Sequence, residues 1–252
     1  MDRWCKIVTA VAFLVIPQLT AAQTVSIQNA TLGQTQKTAE VSTDELRRIL
    51  SDGSATVFDA RPFMEYAVGH IPGAINVSAK AGIPMSQYIS DVAEIERVLH
   101  GNRATPIVLY CNGPFCGKSS RLAEELTQSG FANVRRYQLG APVWRALGGV
   151  MQIEPVGFAY VQQNDRTVRV YDTRPAADFT AGTLKDAINL LKEAVDKAKD
   201  DGRLPMEDHN TRIVVFGSTP ADARATAEAI AKNAFHNVMF CVDLYCGQPV
   251  NQ

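Results

Sequence analysis

Four cysteines beyond the N-terminal leader fall into two pairs of the same spacing, Cys111-x4-Cys116 and Cys241-x4-Cys246. As a thiolate a cysteine is a nucleophile or a metal ligand, and joined to a second one it is a disulfide. Neither pair has the Cys-x2-Cys spacing of a zinc site, and His70, His100, His209 and His236 are scattered, so no metal and no other cofactor is expected. Cys111 directly follows Pro106-Ile-Val-Leu-Tyr110, a buried-strand pattern, and precedes a Gly/Pro-bearing loop and an amphipathic stretch from about Ser119 to Gln128, with Gly130 as its stop. Open α/β sheets bind ligands at such a strand-to-helix junction, where the free N–H groups of the helix point into the loop. A thiol there should be acidified, because the helix dipole and converging amides favour its anion.

The backbone N–H groups of Asn112, Gly113, Gly117, Lys118 and Ser119 are the candidate anion cradle, and Lys118 adds a cation; Pro114 has no N–H to give. The same donors would hold a persulfide anion on Cys111. Cys116 admits three readings: a resolving thiol that attacks an oxidised or sulfur-loaded Cys111, a structural bridge that silences it, or a small residue without chemistry. Cys241 and Cys246 read as a stabilising disulfide, or as a second exchange pair.

The elements that must position these residues alternate. Ser42 or Thr43 can cap a helix through Leu50, with Glu45 placed to complete a capping box on Ser42. Ala55–Asp59 reads as a buried strand, and Asn133–Leu139 as another, followed by Gly140 and a short helix carrying Trp144. Strands alternating with helices imply a mainly parallel central sheet flanked by helices on both faces.

An internal repeat sets the organisation. Phe58-Asp-Ala-Arg-Pro through Gly69 to Ala74-Ile-Asn76 aligns with Tyr171-Asp-Thr-Arg-Pro through Gly182 to Ala187-Ile-Asn189 at a constant offset of 113. Ile107–Cys111 aligns with Ile213–Gly217 at 106, and Phe131–Val134 with Phe235–Val238 at 104. The chain therefore reads as two tandem α/β domains, 41–150 and 156–246, after a flexible arm over 23–40. Gly217 stands where Cys111 does and Thr183 where His70 does, so the second domain lacks the nucleophile.

The first residues carry a charged start, an apolar run from Ile7 to Ile16, and a small-residue tail ending at Ala22, the layout of a cleaved secretory signal peptide over 1–22. That run is too short to span a bilayer, which takes about 18 apolar residues. The expected location is periplasmic or secreted, where disulfides persist. A net charge of −1 gives no electrostatic case for nucleic acid or for a membrane surface once the leader is removed.

The stretch from Phe58-Asp-Ala-Arg61 to Gly69-His-Ile-Pro-Gly-Ala-Ile-Asn76, the Tyr110-Cys111 loop, and Gly130-Phe-Ala-Asn-Val134 through Trp144 together resemble the rhodanese family, over about residues 41–150 and, more weakly, 156–245. The resemblance implies a sulfurtransferase: the loop cysteine, here Cys111, takes sulfane sulfur from a small donor such as thiosulfate, holds it as a persulfide, and passes it to cyanide or a thiol. It implies that Asp59 and Arg61 organise the loop, although the repeat keeps Asp172 and Arg174 where no cysteine survives, which favours a structural ion pair. It implies that His70 shapes a turn and is not a base.

Tandem members usually keep the cysteine in the C-terminal domain, so the arrangement here is reversed. Cys111 to Gly130 spans 19 positions against 17 for Gly217 to Ala234, so the first loop is read as two residues longer than its repeat. Longer cradles suit larger oxyanions, as in the related phosphatases and arsenate reductases, but Gly117 stands where their Cys-x5-Arg pattern has its arginine, leaving only Lys118 or Arg121. A thiol–disulfide redox protein using Cys111 and Cys116, and a non-catalytic binding module, are the two rival readings.

Overall fold

A computed structural model describes residues 26–33, 38–79 and 90–242. The expected leader with its cut near Ala22, most of the expected arm, and Cys246 lie outside these residues.

The first unit runs β1 (Ala39–Glu40), α1 (Thr43–Asp52), β2 (Thr56–Asp59), α2 (Phe63–Val68), β3 (Ile75–Asn76), α3 (Asp91–Val98), β4 (Ile107–Tyr110), α4 (Gly117–Gln128), β5 (Val134–Tyr137) and α5 (Gly140–Ala146). The second runs β6 (Met151–Ile153), α6 (Pro155–Asn164), β7 (Arg169–Asp172), α7 (Ala176–Ala181), β8 (Ile188–Asn189), α8 (Val195–Ala198), β9 (Ile213–Phe216), α9 (Pro220–Ala231) and β10 (Val238–Cys241). Each unit holds a five-stranded sheet, in the orders β1-β5-β4-β2-β3 and β6-β10-β9-β7-β8. Every ladder within them is parallel. The two sheets share one strand order, as a duplicated sequence requires.

The central strand of each sheet is buried on both faces, as expected of parallel sheets covered by helices. Ile107 and Leu109 pack outward with Ile95, Leu122 and Leu126, and Ile213 and Val215 do the same with Ala227 and Ile230. The alternate residues, Val108 and Tyr110 on one side and Val214 and Phe216 on the other, share a single core that continues between the sheets. That shared core is sealed by an antiparallel bridge, His70 N–H to Gln152 O at 2.9 Å and Gln152 N–H to His70 O at 2.8 Å. Beside it α6 presses on α2 so closely that a Cβ on Gly157 would sit 2.0 Å from the Ala67 carbonyl oxygen.

Four expectations need adjusting. Ala39–Glu40, assigned to the arm, forms the edge strand β1 against β5, and Ile27–Asn29 is a 3-10 turn. Met151–Ile153, assigned to the connection, is the equivalent strand β6 against β10, so the second unit begins before residue 156. Strands of two and three residues have too little periodicity to be read from sequence. The Ser42 cap forms, its Oγ accepting from Glu45 N–H, but the reciprocal half of the box does not: the Glu45 carboxylate pairs with Arg135 of β5 instead. Finally, the two-residue loop difference is a sum. Six residues, 111–116, join β4 to α4 where three, 217–219, join β9 to α9, and one residue fewer follows the helix.

Candidate functional site

Cys111 is the first residue after β4, the central strand, at its carboxyl end. The loop that follows rises and returns within six residues, helped by Gly113 at φ +101° and by a Cys116 N–H to Gly113 O bond of 3.1 Å. Cys116 is the N-cap of the twelve-residue α4, whose first three residues are Gly117, Lys118 and Ser119. Their N–H groups have no intrahelical acceptor and point out of the helix toward the loop. The Sγ atoms of Cys111 and Cys116 are joined in a disulfide, with Cα atoms 6.2 Å apart. Cys111 is only 3% exposed, whereas Cys116 is half-buried and Phe115 beside it stands fully in solvent. Of the two bonded cysteines, Cys116 is the more exposed.

The loop is held from beneath by α5. Ala141 N–H donates to the Cys111 carbonyl at 3.1 Å. Gly140 makes this possible: at φ +67°, a Cβ there would lie 2.4 Å from both the Cys111 oxygen and the Gly113 nitrogen. No other residue type fits that contact without displacing the loop.

The remaining candidates divide. The Asn112 side chain leaves the loop to donate to Glu65 of α2. The half-buried Lys118 ammonium donates to Ser78 Oγ at 2.8 Å and lies 3.7 Å from Asp91. The expected cation at the thiol is thus engaged elsewhere. The Ser119 hydroxyl is buried and accepts from Arg136 at 3.3 Å, leaving its N–H as its contribution to the helix mouth. Cys241 is disulfide-bonded, and Cys246 lies outside the described residues.

Asp59 and Arg61 form a buried bidentate pair: Arg61 Nε lies 3.0 Å from both carboxylate oxygens, and its N–H is 2.8 Å from Oδ1. A second guanidinium nitrogen donates to the Gly69 carbonyl at 2.7 Å. The pair therefore clamps the β2–α2 turn, and its hydrogen bonds do not go to residues 111–116. Its link to the loop is Tyr110, whose hydroxyl donates to Asp59 Oδ2 at 2.6 Å and accepts from Ile71 N–H at 3.0 Å. Asp172 and Arg174 repeat the clamp in the second unit. His70 is wholly buried and stacked on Tyr66, with 3.8 Å between ring centroids, and Nδ1 lies 3.0 Å from the Tyr66 carbonyl. Burial pushes its pKa down to about 4, so it is a neutral part of the seam.

Three roles escape a motif search: the Tyr110 hydroxyl, the bare Cα of Gly140, and the residue beneath the cysteine position. That last one crowds the cysteine position of the second unit. A Cβ on Gly217 would lie 2.5 Å from Thr173 Cγ2, and Thr173 hydrogen-bonds Thr226 at 2.9 Å; at the repeat offset the first unit has the smaller Ala60. Comparing the two halves residue by residue would have exposed this exchange.

The family model described as "Rhodanese-like domain" matches residues 42–147 and again 159–243. An HTH-type transcriptional regulator of Mycobacterium tuberculosis is 37% identical over 114 residues, 45% of this chain and 45% of that protein. A tRNA uridine(34) hydroxylase of Teredinibacter turnerae is 30% identical over 101 residues, 40% of this chain and 29% of that protein. The matches thus span under half the length of each of these relatives. Among solved structures, SseA from Escherichia coli, described by its 3-mercaptopyruvate sulfotransferase fold, aligns with TM-score 0.38 and 18% identity, over 81% of this chain and 97% of that one.

Proposed function

Because the chain belongs to the rhodanese-like domain family, we propose that it is a sulfurtransferase in which Cys111 carries the sulfur. The observation that carries the reading is the placement of the Cys111 sulfur at the carboxyl end of the central strand, bonded to a half-buried Cys116 at the mouth of α4. Once the disulfide is opened, the Cys111 thiolate faces the unpaired N–H groups of α4, which stabilise an anion there. It attacks the sulfane sulfur of a donor such as thiosulfate. The donor's S–S bond breaks, sulfite leaves with the bonding pair, and Cys111 is left as a persulfide. An acceptor thiolate then attacks the outer sulfur; a new S–S bond forms on the acceptor and Cys111 leaves as thiolate. Cyanide does the same and becomes thiocyanate. The partners are therefore a small sulfur donor and a thiol.

Cys116 gives the cycle a second exit. Its thiolate can attack Cys111 Sγ in the persulfide, expelling hydrosulfide and forming the Cys111–Cys116 disulfide; the outer sulfur is reduced while the two cysteines are oxidised. An external dithiol must then reduce the bridge, entering at Cys116, the accessible sulfur. The leader pattern and the bridge together fit an exported protein in an oxidising compartment. The disulfide also supports a second reading, a thiol–disulfide redox protein with no sulfur transfer.

Turnover separates the two. Pre-reduced protein given thiosulfate and cyanide should form thiocyanate, Cys111→Ser should abolish it, and Cys116→Ser should keep it. A protein that forms no thiocyanate but exchanges disulfides only while both cysteines are present would replace the proposal with the redox reading.

A further inference from the structure

The two ends of the loop differ in access and in anchoring. Cys111 is buried at the end of β4, and its carbonyl is held by Ala141 N–H. Cys116 is half-buried at the start of α4, and Phe115, its neighbour in the chain, is wholly exposed. A nucleophile as small as cyanide can approach a sulfur on Cys111, whereas a bulky thiol meets Cys116 first.

The residue type at position 116 is itself unusual for its place. Helices α1, α3 and α9 begin at Ser42, Ser90 and Thr219, whose hydroxyl oxygens accept a first-turn N–H at 3.2, 3.0 and 3.1 Å. Such a bond stabilises a helix start. Cys116 holds the same position on α4 and makes no side-chain capping bond, its sulfur being joined to Cys111. The comparison with α9 is the closest, because both helices are twelve residues long and follow the central strand of their sheets. The unit that has lost the nucleophile, with Gly217 in its place, caps its helix with a threonine; the unit that keeps the nucleophile places a second thiol there. The disulfide shows that this thiol reaches Cys111 Sγ within the loop, so chemistry between the two is intramolecular.

We propose that Cys116 is a second sulfur carrier, which takes the outer sulfur from Cys111 and presents it, as its own persulfide, to acceptor thiols too bulky to reach Cys111. The inference rests on the sulfur-transfer reading of Cys111, which remains the residue that loads. The Cys116 thiolate attacks the outer, protonated sulfur of the Cys111 persulfide. The bond from that sulfur to Cys111 Sγ breaks, Cys111 leaves as thiolate with the bonding pair, and the proton stays on the transferred sulfur. Nothing is oxidised or reduced, and no co-reactant is needed. Once it ionises, the new persulfide lies at the mouth of α4, where an anion serves the free N–H groups that a capping oxygen serves elsewhere. The acceptor thiolate then attacks the outer sulfur and Cys116 leaves as thiolate. Attack by Cys116 on the inner sulfur is the hydrosulfide exit; attack on the outer one keeps the sulfur in play.

The test uses the full chain, reduced, loaded with thiosulfate, alkylated with iodoacetamide at short times and digested. Fragment ions that separate Cys111 from Cys116 should place alkylated persulfide on Cys116 as well as on Cys111, and on neither position in Cys111→Ser. In turnover, glutathione is the bulky acceptor and cyanide the small one, with rates normalised to the sulfite burst that reports loading. Cys116→Ser should lower the ratio of kcat/KM for glutathione to that for cyanide at least about tenfold. Cys116→Ala should lower it as much, although only serine can cap α4. Sulfur confined to Cys111 in the parent chain, or an unchanged ratio in Cys116→Ser that remains folded by circular dichroism, would overturn the proposal. A loss seen in Cys116→Ala alone would also overturn it, since that is the signature of a cap. If neither cysteine gains sulfur, the transfer reading itself fails; if Cys111 loads and Cys116 does not, the relay alone fails.

Discussion

The Tyr110 hydroxyl lies 2.6 Å from Asp59 Oδ2, and in the other half of the molecule the Thr183 hydroxyl lies 2.8 Å from Asp172 Oδ2. The duplicated clamps thus receive the same donor from different places. Where the central strand ends in Phe216 in place of Tyr110, the turn residue equivalent to His70 is a threonine that supplies the missing hydroxyl. A buried carboxylate explains the exchange, since each lost donor leaves charge undersolvated.

Tyr110→Phe removes that donor and also orphans the Ile71 N–H, which bonds to the same oxygen. We expect a loss of about 1–3 kcal/mol in denaturant unfolding. Thr183→Val, at an exposed turn, should cost less. Equal losses, or no loss from Tyr110→Phe, would remove the hydroxyl from its assigned role.

His70 makes stability depend on pH. Its folded pKa is depressed by burial to about 4, below the ordinary value of 6.5, so the unfolded chain binds the proton more readily. The stabilisation is present above pH 6.5 and is lost as pH falls toward 4. Linkage puts the loss near pH 4 at roughly 3 kcal/mol. Glu154 Oε1, 3.6 Å from His70 Nε2, is the group that would soften the loss by meeting the charged ring. Urea unfolding at pH 7 and pH 4.5 should therefore show a smaller pH difference in His70→Asn than in the parent chain.

Gly140→Ala places a methyl group against the Cys111 carbonyl and the Gly113 nitrogen, in a left-handed conformation that disfavours it further. A destabilisation of about 1–3 kcal/mol and a displaced loop are expected. Initial rates of sulfur uptake from thiosulfate should fall at least about tenfold in protein that is still folded at the assay temperature. Gly148→Ala, in open space but also at positive φ, is the control for backbone strain alone.

Much of this was legible beforehand where many residues spoke together. The duplication, the parallel sheets and the strand-to-helix junction at Cys111 follow from segments such as Phe58–Asn76 that repeat residue for residue. Illegible were features set by one residue's tertiary neighbours: the two- and three-residue edge strands β1 and β6, the turning of Lys118 toward Ser78 and Asp91, and the preference of Glu45 for Arg135 over its own cap. The exchange of Ala60 for Thr173 is visible when the two halves are aligned, but that the Thr173 methyl group occupies the space beneath Gly217 is not.

The account stands most directly on whether Cys111 takes up sulfur. The reduced chain should be incubated with thiosulfate, freed of excess reagent, and its peptides weighed. One added sulfur atom on the Cys111 peptide is predicted, retained in Cys116→Ser, where the escape to a disulfide is closed, and absent in Cys111→Ser. A Cys111 peptide that gains nothing in Cys116→Ser, or sulfur that resides on another residue in Cys111→Ser, would contradict it.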